Sequence, residues 1–338
     1  MANMKDIAEK TGLSLATISR AFNNVDKVSP KTRNLVLKAA KELNFRPNKM
    51  ASSLRSGKSQ TIGIVVPVID RQVFSASIRR MEEVLRDAGY NIIICQTHES
   101  YVKELDVLEN LQQLKVDGVI ISVSKETQEG KHLQKLADSG TSVVLFDRTV
   151  ELHDINSVVI NNFQGAYLAT QHLMEQGCRH IIHLGGNETV SIFKDRRRGF
   201  ETALKENGDN LLTGVTIPFD DGQPDGIEAL QDMLLAVDRP DGILAHGDIS
   251  ALVAMGIIRK MKLRIPNDIA IVGFGESTFC PYVEPSLSSI NQCNEDVGKL
   301  AAEIMLKELQ EKQKENLVFT QQVLQPKLMP RASSLRKT

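Results

Sequence analysis

The stretch LSLATISRAFNN, residues 13–24, has the apolar spacing of a short helix, yet it carries more polar side chains at its start than a buried helix needs. Three of its apolar residues, Ile18, Ala21 and Phe22, can share one buried side with Leu13. The polar residues cannot all join that side, and they cluster where the helix begins: Ser14, Thr17, Ser19 and Arg20. The sequence therefore predicts a helix that is anchored on one side and offers its polar start to a partner.

A second helical pattern precedes this stretch. The segment NMKDIAEKTG predicts a helix from about Lys5 that turns Ile7 and Ala8 inward and ends near Gly12, where a positive φ costs least. Ser14 can cap the next helix, because its hydroxyl accepts from a backbone N–H of the first turn. Two short helices around a tight glycine-containing turn indicate a helix-turn-helix, whose second helix reads base edges in the DNA major groove.

A third helix has its own start signal, Ser29 followed by Pro30 at the first helical position. Its pattern, KTRNLVLKAAKEL, predicts a buried face of four side chains: Leu35, Val36, Ala39 and Leu43. The alternative interpretation of these residues is a three-helix bundle with a polar rim and no DNA contact.

Charge is distributed unevenly along the 338 residues. Residues 1–60 hold 12 Lys and Arg against 4 Asp and Glu, whereas the remaining residues hold 29 Lys and Arg against 38 Asp and Glu. The net charge of −1 is therefore the sum of a basic end and an acidic body. A basic end of this kind is typical of a protein that binds a polyanion at that end only.

Composition also narrows the class of protein. No apolar run approaches the roughly 18–20 residues of a membrane span, and the start lacks the pattern of a secretory signal, so we expect a cytoplasmic protein without membrane contact. The four cysteines have no metal-ligand spacing, and we expect them to be reduced, mostly buried and without a metal: Cys95, Cys178, Cys280 and Cys293.

From Thr61 onward, short apolar runs alternate with helical patterns. The runs form two sets, from TIGIVVPV to SVVIN up to about residue 161, and from HIIHLGG to LSSINQ after it. Runs that are apolar on both faces predict parallel sheets covered by helices on both sides. We therefore expect an α/β protein, with a small all-α head and a body of two doubly wound parallel-sheet lobes.

These segments together resemble the lactose-repressor (LacI-type) family of bacterial transcription regulators. The resemblance spans the chain and is most specific in KDIAEKTGLSLATISRAFNN and VSPKTRNLVLKAAKELNFRPNKMASSLRSGKSQTIGIVVP. It implies a helix-turn-helix head at residues 1–46, a hinge at 47–58 and a periplasmic-binding-protein-like body at 59–338 that binds effector and dimerises. The lobes would comprise residues 61–161 with 292–320, and residues 162–290 with 321–331, joined by three crossovers.

The resemblance places base-reading residues in the opening stretch. In that family the first, second and sixth residues of the recognition helix read bases, and they correspond here to Leu15, Ala16 and Arg20. Arg20 suits guanine, whose O6 and N7 match the guanidinium fork, whereas Leu15 and Ala16 offer only apolar contact. Phosphate contacts are expected from four polar residues: Ser14, Thr17, Ser19 and Asn23.

The predicted hinge, RPNKMASSLRSGKSQ, runs from a helix-start residue, Pro47, to a helix-stop residue, Gly57. This stretch is shorter than the roughly 12–15 residues that a helix needs to persist alone, so we expect a flexible linker in the absence of DNA. The resemblance implies that the paired hinges of a dimer fold on DNA. Leu54 would then be wedged between base pairs in the minor groove, with Arg55 near phosphate.

Ligands of doubly wound sheets bind at the carboxyl ends of the strands. Matching the family's segments gives these effector candidates: Phe74, Asp147, Arg148, Asn161, Arg196, Phe219, Asp248 and Glu276. Carboxylates, an arginine and an aromatic face suit a polyhydroxylated sugar. The family often has Gly-Tyr/Phe-Asp after a late strand, where VGFGES has Gly275 and then Glu276. Either Glu276 takes over that contact or the ligand lacks it.

Enzymatic motifs are missing from the sequence: it has no G-x-S-x-G elbow, no G-x-x-x-x-G-K-[ST] phosphate loop and no H-E-x-x-H. We predict a DNA-binding regulator, a homodimer on a near-palindromic operator, with a carbohydrate effector and no cofactor or metal. One alternative is a sugar-binding protein without a regulatory role, which the basic head disfavours. Another is a dehydrogenase, but GFGEST lacks the third glycine of the dinucleotide-binding fingerprint. The resemblance implies that a tetramer would need a C-terminal leucine-heptad tail, for which PKLMPRASSLRKT leaves no room, so we expect a dimer.

Overall fold

The computed structural model describes residues 2–23, 27–45, 59–152, 154–206, 213–219, 223–311 and 319–336. The chain divides into two compact units, Met1–Ser59 and Gln60–Thr338. The predicted hinge, with Leu54 and Arg55, lies outside the described residues.

The first unit contains the three predicted helices: α1 (Met4–Thr11), α2 (Leu15–Asn23) and α3 (Pro30–Glu42). Gly12 ends α1 in the left-handed conformation, with φ of 71°. The hydroxyl of Ser14 accepts from the third residue of its helix, the N–H of Thr17, at 3.2 Å, and Ser29 does the same for Thr32. Both predicted N-caps are therefore confirmed.

The core of this unit is formed where the three helices meet, and its fully buried residues are Ile7, Ile18, Ala21, Val36, Ala39 and Ala40. The prediction for Leu35 is wrong, because its side chain is 48% exposed. The helix α3 buries positions 36, 39 and 40, with position 43 half-buried on the same stripe. Leu35 precedes this stripe by one residue and is therefore rotated by about 100° away from it.

Within its described residues, the second unit has two sheets of six strands each. The first sheet contains β1 (Thr61–Val66), β2 (Asn91–Gln96), β3 (Gly118–Ile121), β4 (Ser142–Phe146), β5 (Asn156–Ile160) and β11 (Gln321–Leu324), in the order β11-β5-β4-β3-β1-β2. The second contains β6 (His180–Gly185), β7 (Thr213–Pro218), β8 (Gly242–Ala245), β9 (Ala270–Phe274), β10 (Ser288–Asn291) and β12 (Lys327–Met329), in the order β12-β10-β9-β8-β6-β7. The strands pair in parallel, apart from the antiparallel pair of β10 and β12.

Helices connect the strands and cover both faces of the sheets: α4 (Gln72–Asp87), α5 (Tyr101–Gln113), α6 (Lys131–Asp138), α7 (Asn162–Glu175), α8 (Ser191–Glu206), α9 (Pro224–Leu235), α10 (Asp248–Lys260) and α11 (Asn294–Glu311). In β1, Ile62 and Ile64 pack against α4 and α11, whereas Val65 belongs to the core beneath α5 and α6. Burial on both faces explains why the central strands of each sheet lack a polar side, and the predicted fold class is confirmed.

The chain crosses between the lobes after β5, after β10 and between β11 and β12. The predicted lobe boundary after residue 320 is wrong, because β11 pairs with β5 in the first sheet from Gln321 to Leu324. The third crossover therefore lies at Gln325 and Pro326. This strand is mostly exposed at the sheet edge, so its sequence, QQVL, lacks the apolar run by which the other strands are recognised.

Candidate DNA and effector sites

The start of α2 is directed to solvent in the first unit, as the sequence predicted. Leu15 is 46% exposed, and Ala16 and Arg20 are also exposed, whereas Ile18 is fully buried. Three polar residues around them are exposed or half-buried: Ser14, Thr17 and Ser19. The side chain of Asn23 lies outside the described part of the chain. A rigidly anchored helix with an accessible N-terminal end has the geometry that major-groove readout requires.

A cleft of about 610 Å³ opens in the second unit between the carboxyl ends of the two sheets. Five of the eight predicted effector residues line it: Phe74, Asp147, Arg148, Arg196 and Asp248. Both lobes contribute, since the first three belong to the first lobe and the last two to the second. This is the location at which doubly wound sheets bind ligands.

Arg196 in α8 is held by neutral acceptors. Its Nε donates to Oδ1 of Asn162 at 2.9 Å, its Nη1 donates to the carbonyl of His246, and its Nη2 lies 3.5 Å from Oε1 of Gln292. The guanidinium stacks on the ring of Phe274, with 3.7 Å between Cζ and the ring centroid. Burial lowers the pKa of Arg196 to about 9. The side chain is thus fixed in one orientation, and a negatively polarised ligand oxygen would relieve the cost of burying its charge.

Asp248 is held by hydrogen bonds from the loop and strand that follow β9. Its Oδ1 accepts from the hydroxyl of Ser289 and its Oδ2 from the N–H of Ser277, both at 2.6 Å. Two glycines make room for the carboxylate, since a Cβ on Gly273 would clash with Oδ1 and one on Gly275 would lie 3.1 Å from Oδ2. Gly275 stands where the resemblance would place an aspartate. Its missing side chain leaves this space to Asp248.

Asp147 and Arg148 directly follow β4, at the carboxyl ends of the strands of the first sheet. Asp147 has a φ of 59°, a left-handed conformation that is uncommon for a residue other than glycine and often marks a functional site. Burial raises the pKa of its carboxyl, and the positive charges of Arg148 and Arg196 oppose this shift. Nη1 of Arg148 donates to both carboxylate oxygens of Glu99, at 3.0 and 2.8 Å. Glu99 also has a left-handed backbone, with φ of 61°.

The ring of Phe74 forms part of the cleft wall and is itself fully buried. It packs edge-on against Phe146, with 6.3 Å between ring centroids, and the guanidinium of Arg148 lies 5.9 Å from its centroid. Phe74 therefore supports Arg148 from within the wall of the cleft.

Three predicted effector residues are absent from the lining of this cleft. Asn161 caps α7, with its Oδ1 accepting a backbone N–H at 3.0 Å. Phe219 is buried in the second lobe, and its carbonyl accepts from Nε2 of His246 at 2.8 Å. Glu276 forms an ion pair with Arg331.

The sequence reasoning missed several cleft residues, including Arg71, Glu99, Phe193, His246, Phe274 and Gln292. A signal for some of them was present. Phe274 ends β9, and His246 and Gln292 directly follow β8 and β10, so the rule of strand ends that identified Asp147 applies to them as well.

The described residues contain no group of three or more His, Cys, Asp or Glu side chains that could hold a metal ion, and none of their helices has the length and apolar character of a membrane span. Cys178 and Cys280 are buried, Cys95 and Cys293 are half-buried, and all four are free thiols. Burial raises the pKa of Cys178 to about 12 and lowers that of His183 to about 3, so both stay neutral.

Known proteins resemble the chain in both regions. The model of the bacterial regulatory proteins of the lacI family matches residues 3–48, and that of a periplasmic binding protein-like domain matches residues 170–334. The HTH-type transcriptional repressor PurR of Photobacterium profundum is 31% identical over 334 residues, which cover 98% of each chain. The chain belongs to the LacI family.

Other LacI-family proteins extend the comparison. The ribose operon repressor of Halalkalibacterium halodurans is 34% identical over 313 residues, 92% of each chain. A solved complex of the transcriptional regulator CelR with cellobiose has a TM-score of 0.70 and 25% identity, and covers 98% of this chain and 100% of CelR. This LacI-family chain is accordingly a DNA-binding transcription regulator and not an enzyme.

Proposed function

We propose that this LacI-family regulator represses transcription as a homodimer on a near-palindromic operator, and that a sugar or sugar derivative in the cleft controls its affinity for that operator. The observation that carries the proposal is the cleft itself, where the buried side chains of Arg196, Asp248 and Asp147 line a space of sugar size. A regulator of this kind acts in the cytoplasm, where bacterial DNA lies.

On the DNA side, we assign base reading to Arg20, with Leu15 and Ala16 in apolar contact with the bases. Arg20 can donate two hydrogen bonds to a guanine, which neither of the other two side chains can do. Phosphate contacts are assigned to the polar residues around them: Ser14, Thr17, Ser19 and Asn23. One recognition helix reads only a few base pairs, so a second copy of the chain and a symmetric operator supply the remaining specificity.

A homodimer is also supported by exposed apolar side chains on the body. Ile249, which also lines the cleft, and Leu252 stand one turn apart on α10 and are 49% and 38% exposed. Exposed apolar residues on one helix face are typical of a protein contact.

In the hinge, we assign Leu54 to a wedge in the minor groove and Arg55 to phosphate. Replacing Leu54 by Ala should weaken binding to the operator more than binding to random DNA. Insertion of Leu54 between base pairs increases affinity only where the central base step bends readily. Titrations of both DNAs at one salt concentration measure this difference. Equal losses on the two DNAs would contradict the wedge.

On the effector side, the carboxylates of Asp147 and Asp248 accept from sugar hydroxyls, while Arg196 and Arg148 donate to sugar oxygens and Phe74 backs the ring. CelR, which is solved with cellobiose, and the ribose operon repressor support a carbohydrate. We assign indirect roles to Asn161, Phe219 and Glu276: Asn161 caps α7, the carbonyl of Phe219 accepts from His246, and Glu276 pairs with Arg331.

Control of DNA binding follows from the position of the ligand between the lobes. A ligand that contacts both lobes favours their closed arrangement, and it changes operator affinity only by as much as its own affinity differs between the two arrangements. The same argument allows the ligand to act as an inducer or as a corepressor.

The test begins with a thermal-shift screen of sugars and sugar phosphates on the full chain, followed by operator titrations with each ligand that binds. We expect at least one ligand to raise the melting temperature and to change operator affinity. A ligand that binds in the cleft without any effect on DNA binding would instead favour a sugar-binding protein without a regulatory role.

A further inference from the structure

Glu99 joins the three loops that follow β2, β3 and β4, at the carboxyl ends of the strands of the first sheet. Its Oε1 and Oε2 both accept from Nη1 of Arg148, at 3.0 and 2.8 Å, and its Oε2 also accepts from the backbone N–H of Lys125 at 3.0 Å. Glu99 follows β2, Lys125 follows β3 and Arg148 follows β4. One carboxylate in the wall of the cleft therefore ties together three segments of the first lobe.

The backbone that carries Glu99 has an unusual conformation. His98 and Glu99 are both left-handed, with φ of 50° and 61°, although neither is a glycine. The N–H of Ser100 donates to the carbonyl of Thr97 at 3.1 Å and closes the turn. Left-handed residues with a side chain cost free energy, and they persist where the surrounding structure requires them. Here the turn brings the carboxylate of Glu99 against the guanidinium of Arg148.

The orientation of the Arg148 guanidinium depends on this carboxylate. The side chain of Arg148 is 6% exposed, and its Nη1 donates to both oxygens of Glu99. Its buried Nε has no hydrogen-bond partner among the described residues, and the ring of Phe74, whose centroid lies 5.9 Å from Cζ, offers no polar atom. Without Glu99, the guanidinium would keep its charge and lose the acceptor that directs it.

We propose that Glu99 is a positioning residue for effector binding, which fixes Arg148 so that its guanidinium meets the ligand in one orientation. The inference rests on the proposed function, in which Arg148 donates to the effector. Because Glu99 orders the guanidinium before the ligand arrives, the ligand does not have to order it on binding. Loss of Glu99 therefore weakens effector binding only while Arg148 is present.

Heteronuclear NMR of the full chain tests the positioning without any ligand. With isotopically labelled arginine, the Nε–H signal of Arg148 is identified by its loss in Arg148→Gln. We expect a sharp signal in the wild type, since a fixed guanidinium has one environment, and a shifted and broadened signal in Glu99→Ala. His98→Ala is the matched control, because it removes an exposed side chain from the same left-handed turn, and it should leave the signal unchanged.

Calorimetry measures the consequence for binding in a double-mutant cycle. Ribose is the probe, since the ribose operon repressor is a relative of this chain. Glu99→Ala should weaken ribose binding by about tenfold, and Arg148→Gln at least as much. The double variant should bind ribose as Arg148→Gln does alone, because Glu99 acts through Arg148. His98→Ala should bind ribose as the wild type does.

An unchanged Arg148 signal in Glu99→Ala would overturn the positioning role, and so would losses in the two single variants that add in the double variant. If Glu99→Ala does not fold, Glu99→Gln takes its place. It keeps the size of the side chain and one acceptor oxygen, and it should show the same changes to a smaller extent. Failure of ribose to bind the wild type would count against a ribose-like effector, and the NMR comparison would then decide the role of Glu99.

Discussion

The functional side chains of the head are exposed to solvent, whereas those of the cleft are buried. In the head, Leu15 is 46% exposed and Arg20 is exposed on the surface of α2. In the cleft, Arg196 and Asp248 are only 4% and 3% exposed and are fixed by hydrogen bonds to their surroundings. A long duplex has to be reached from outside, whereas a small ligand is enclosed and oriented by groups that are already in place.

This difference has an energetic consequence. An exposed side chain contributes little to folding, so replacing it changes binding and leaves stability within about 0.5 kcal/mol. A buried charged group changes both properties, because its environment has adapted to it. Mutations in the two regions should therefore separate into those that alter binding alone and those that alter binding and stability together.

The largest effect is expected for Arg196→Ala. The substitution removes a buried guanidinium from the cleft and leaves Asn162, Gln292 and the carbonyl of His246 without the donor that Arg196 supplies. Effector affinity should fall by at least about 2 kcal/mol, and the free energy of unfolding by about 1–3 kcal/mol, as expected when buried acceptors lose their donor. Calorimetry and chemical denaturation measure the two losses.

Arg198→Ala is the matched control for this prediction. Arg198 lies on the same helix, α8, but its side chain is 66% exposed and pairs with Asp195. It should change neither quantity appreciably. Equal effects of Arg196→Ala and Arg198→Ala would show that the buried network around Arg196 has no special role.

Arg20→Ala should have the next largest effect, and on DNA binding alone. It should cost about 1–3 kcal/mol per half-site contact and relax the preference for one symmetric guanine position, while stability stays unchanged. Selection of binding sites from random duplexes with wild type and variant measures this. Identical motifs at every position would make Arg20 a backbone contact.

Lys31→Ala provides the comparison within the head. Lys31 is exposed at the start of α3. If it contacts phosphate, its loss should weaken all DNA sequences alike and reduce the slope of log affinity against log salt by about 1.

The smallest effect is predicted for Asp147→Asn. This substitution should raise the free energy of unfolding, whereas Arg196→Ala should lower it. Burial raises the pKa of Asp147, so folding favours its uncharged form, which asparagine resembles. The variant should be more stable than the wild type by about 1 kcal/mol at neutral pH and should bind the effector more weakly. Denaturation at several pH values measures the stability difference.

The pH dependence follows from the direction of the shift. A carboxyl whose pKa is raised in the folded state contributes most to stability below its unfolded pKa, and this contribution is lost as pH rises through the folded pKa. The advantage of Asp147→Asn should therefore be present at neutral pH and vanish below about pH 4, the usual range of an aspartate. An advantage that persists in acid would show that the carboxyl charge is not its cause.

Much of the fold could be predicted because its signals are local. The caps at Ser14 and Ser29 and the apolar strands depend on residues close in sequence, and the structure confirms them. The error at Leu35 is also local, because neighbouring residues of a helix point in different directions: Val36 is buried and Leu35 is exposed. The lobe boundary was misplaced because β11 is an exposed edge strand without an apolar run.

The cleft could be predicted only in part, for a different reason. The rule of strand ends, together with the resemblance to the LacI family, identified Asp147, Arg196 and Asp248, and the structure brings them together in the cleft. The partner that each side chain takes is decided by residues distant in the chain, such as Arg331 for Glu276 and Ser289 for Asp248. No local pattern carries that information.

The most direct test of the account measures operator affinity of the full chain with and without a calorimetrically identified effector, in wild type and in Asp248→Asn. In the wild type, effector should change operator affinity by about 5- to 150-fold, the usual range of coupling between two sites. The variant keeps the size of the side chain but loses a carboxylate oxygen. It should bind operator as the wild type does without effector and should respond little to it. An unchanged response in Asp248→Asn, or no response in a wild type that has bound the ligand, would contradict control of the head by the cleft.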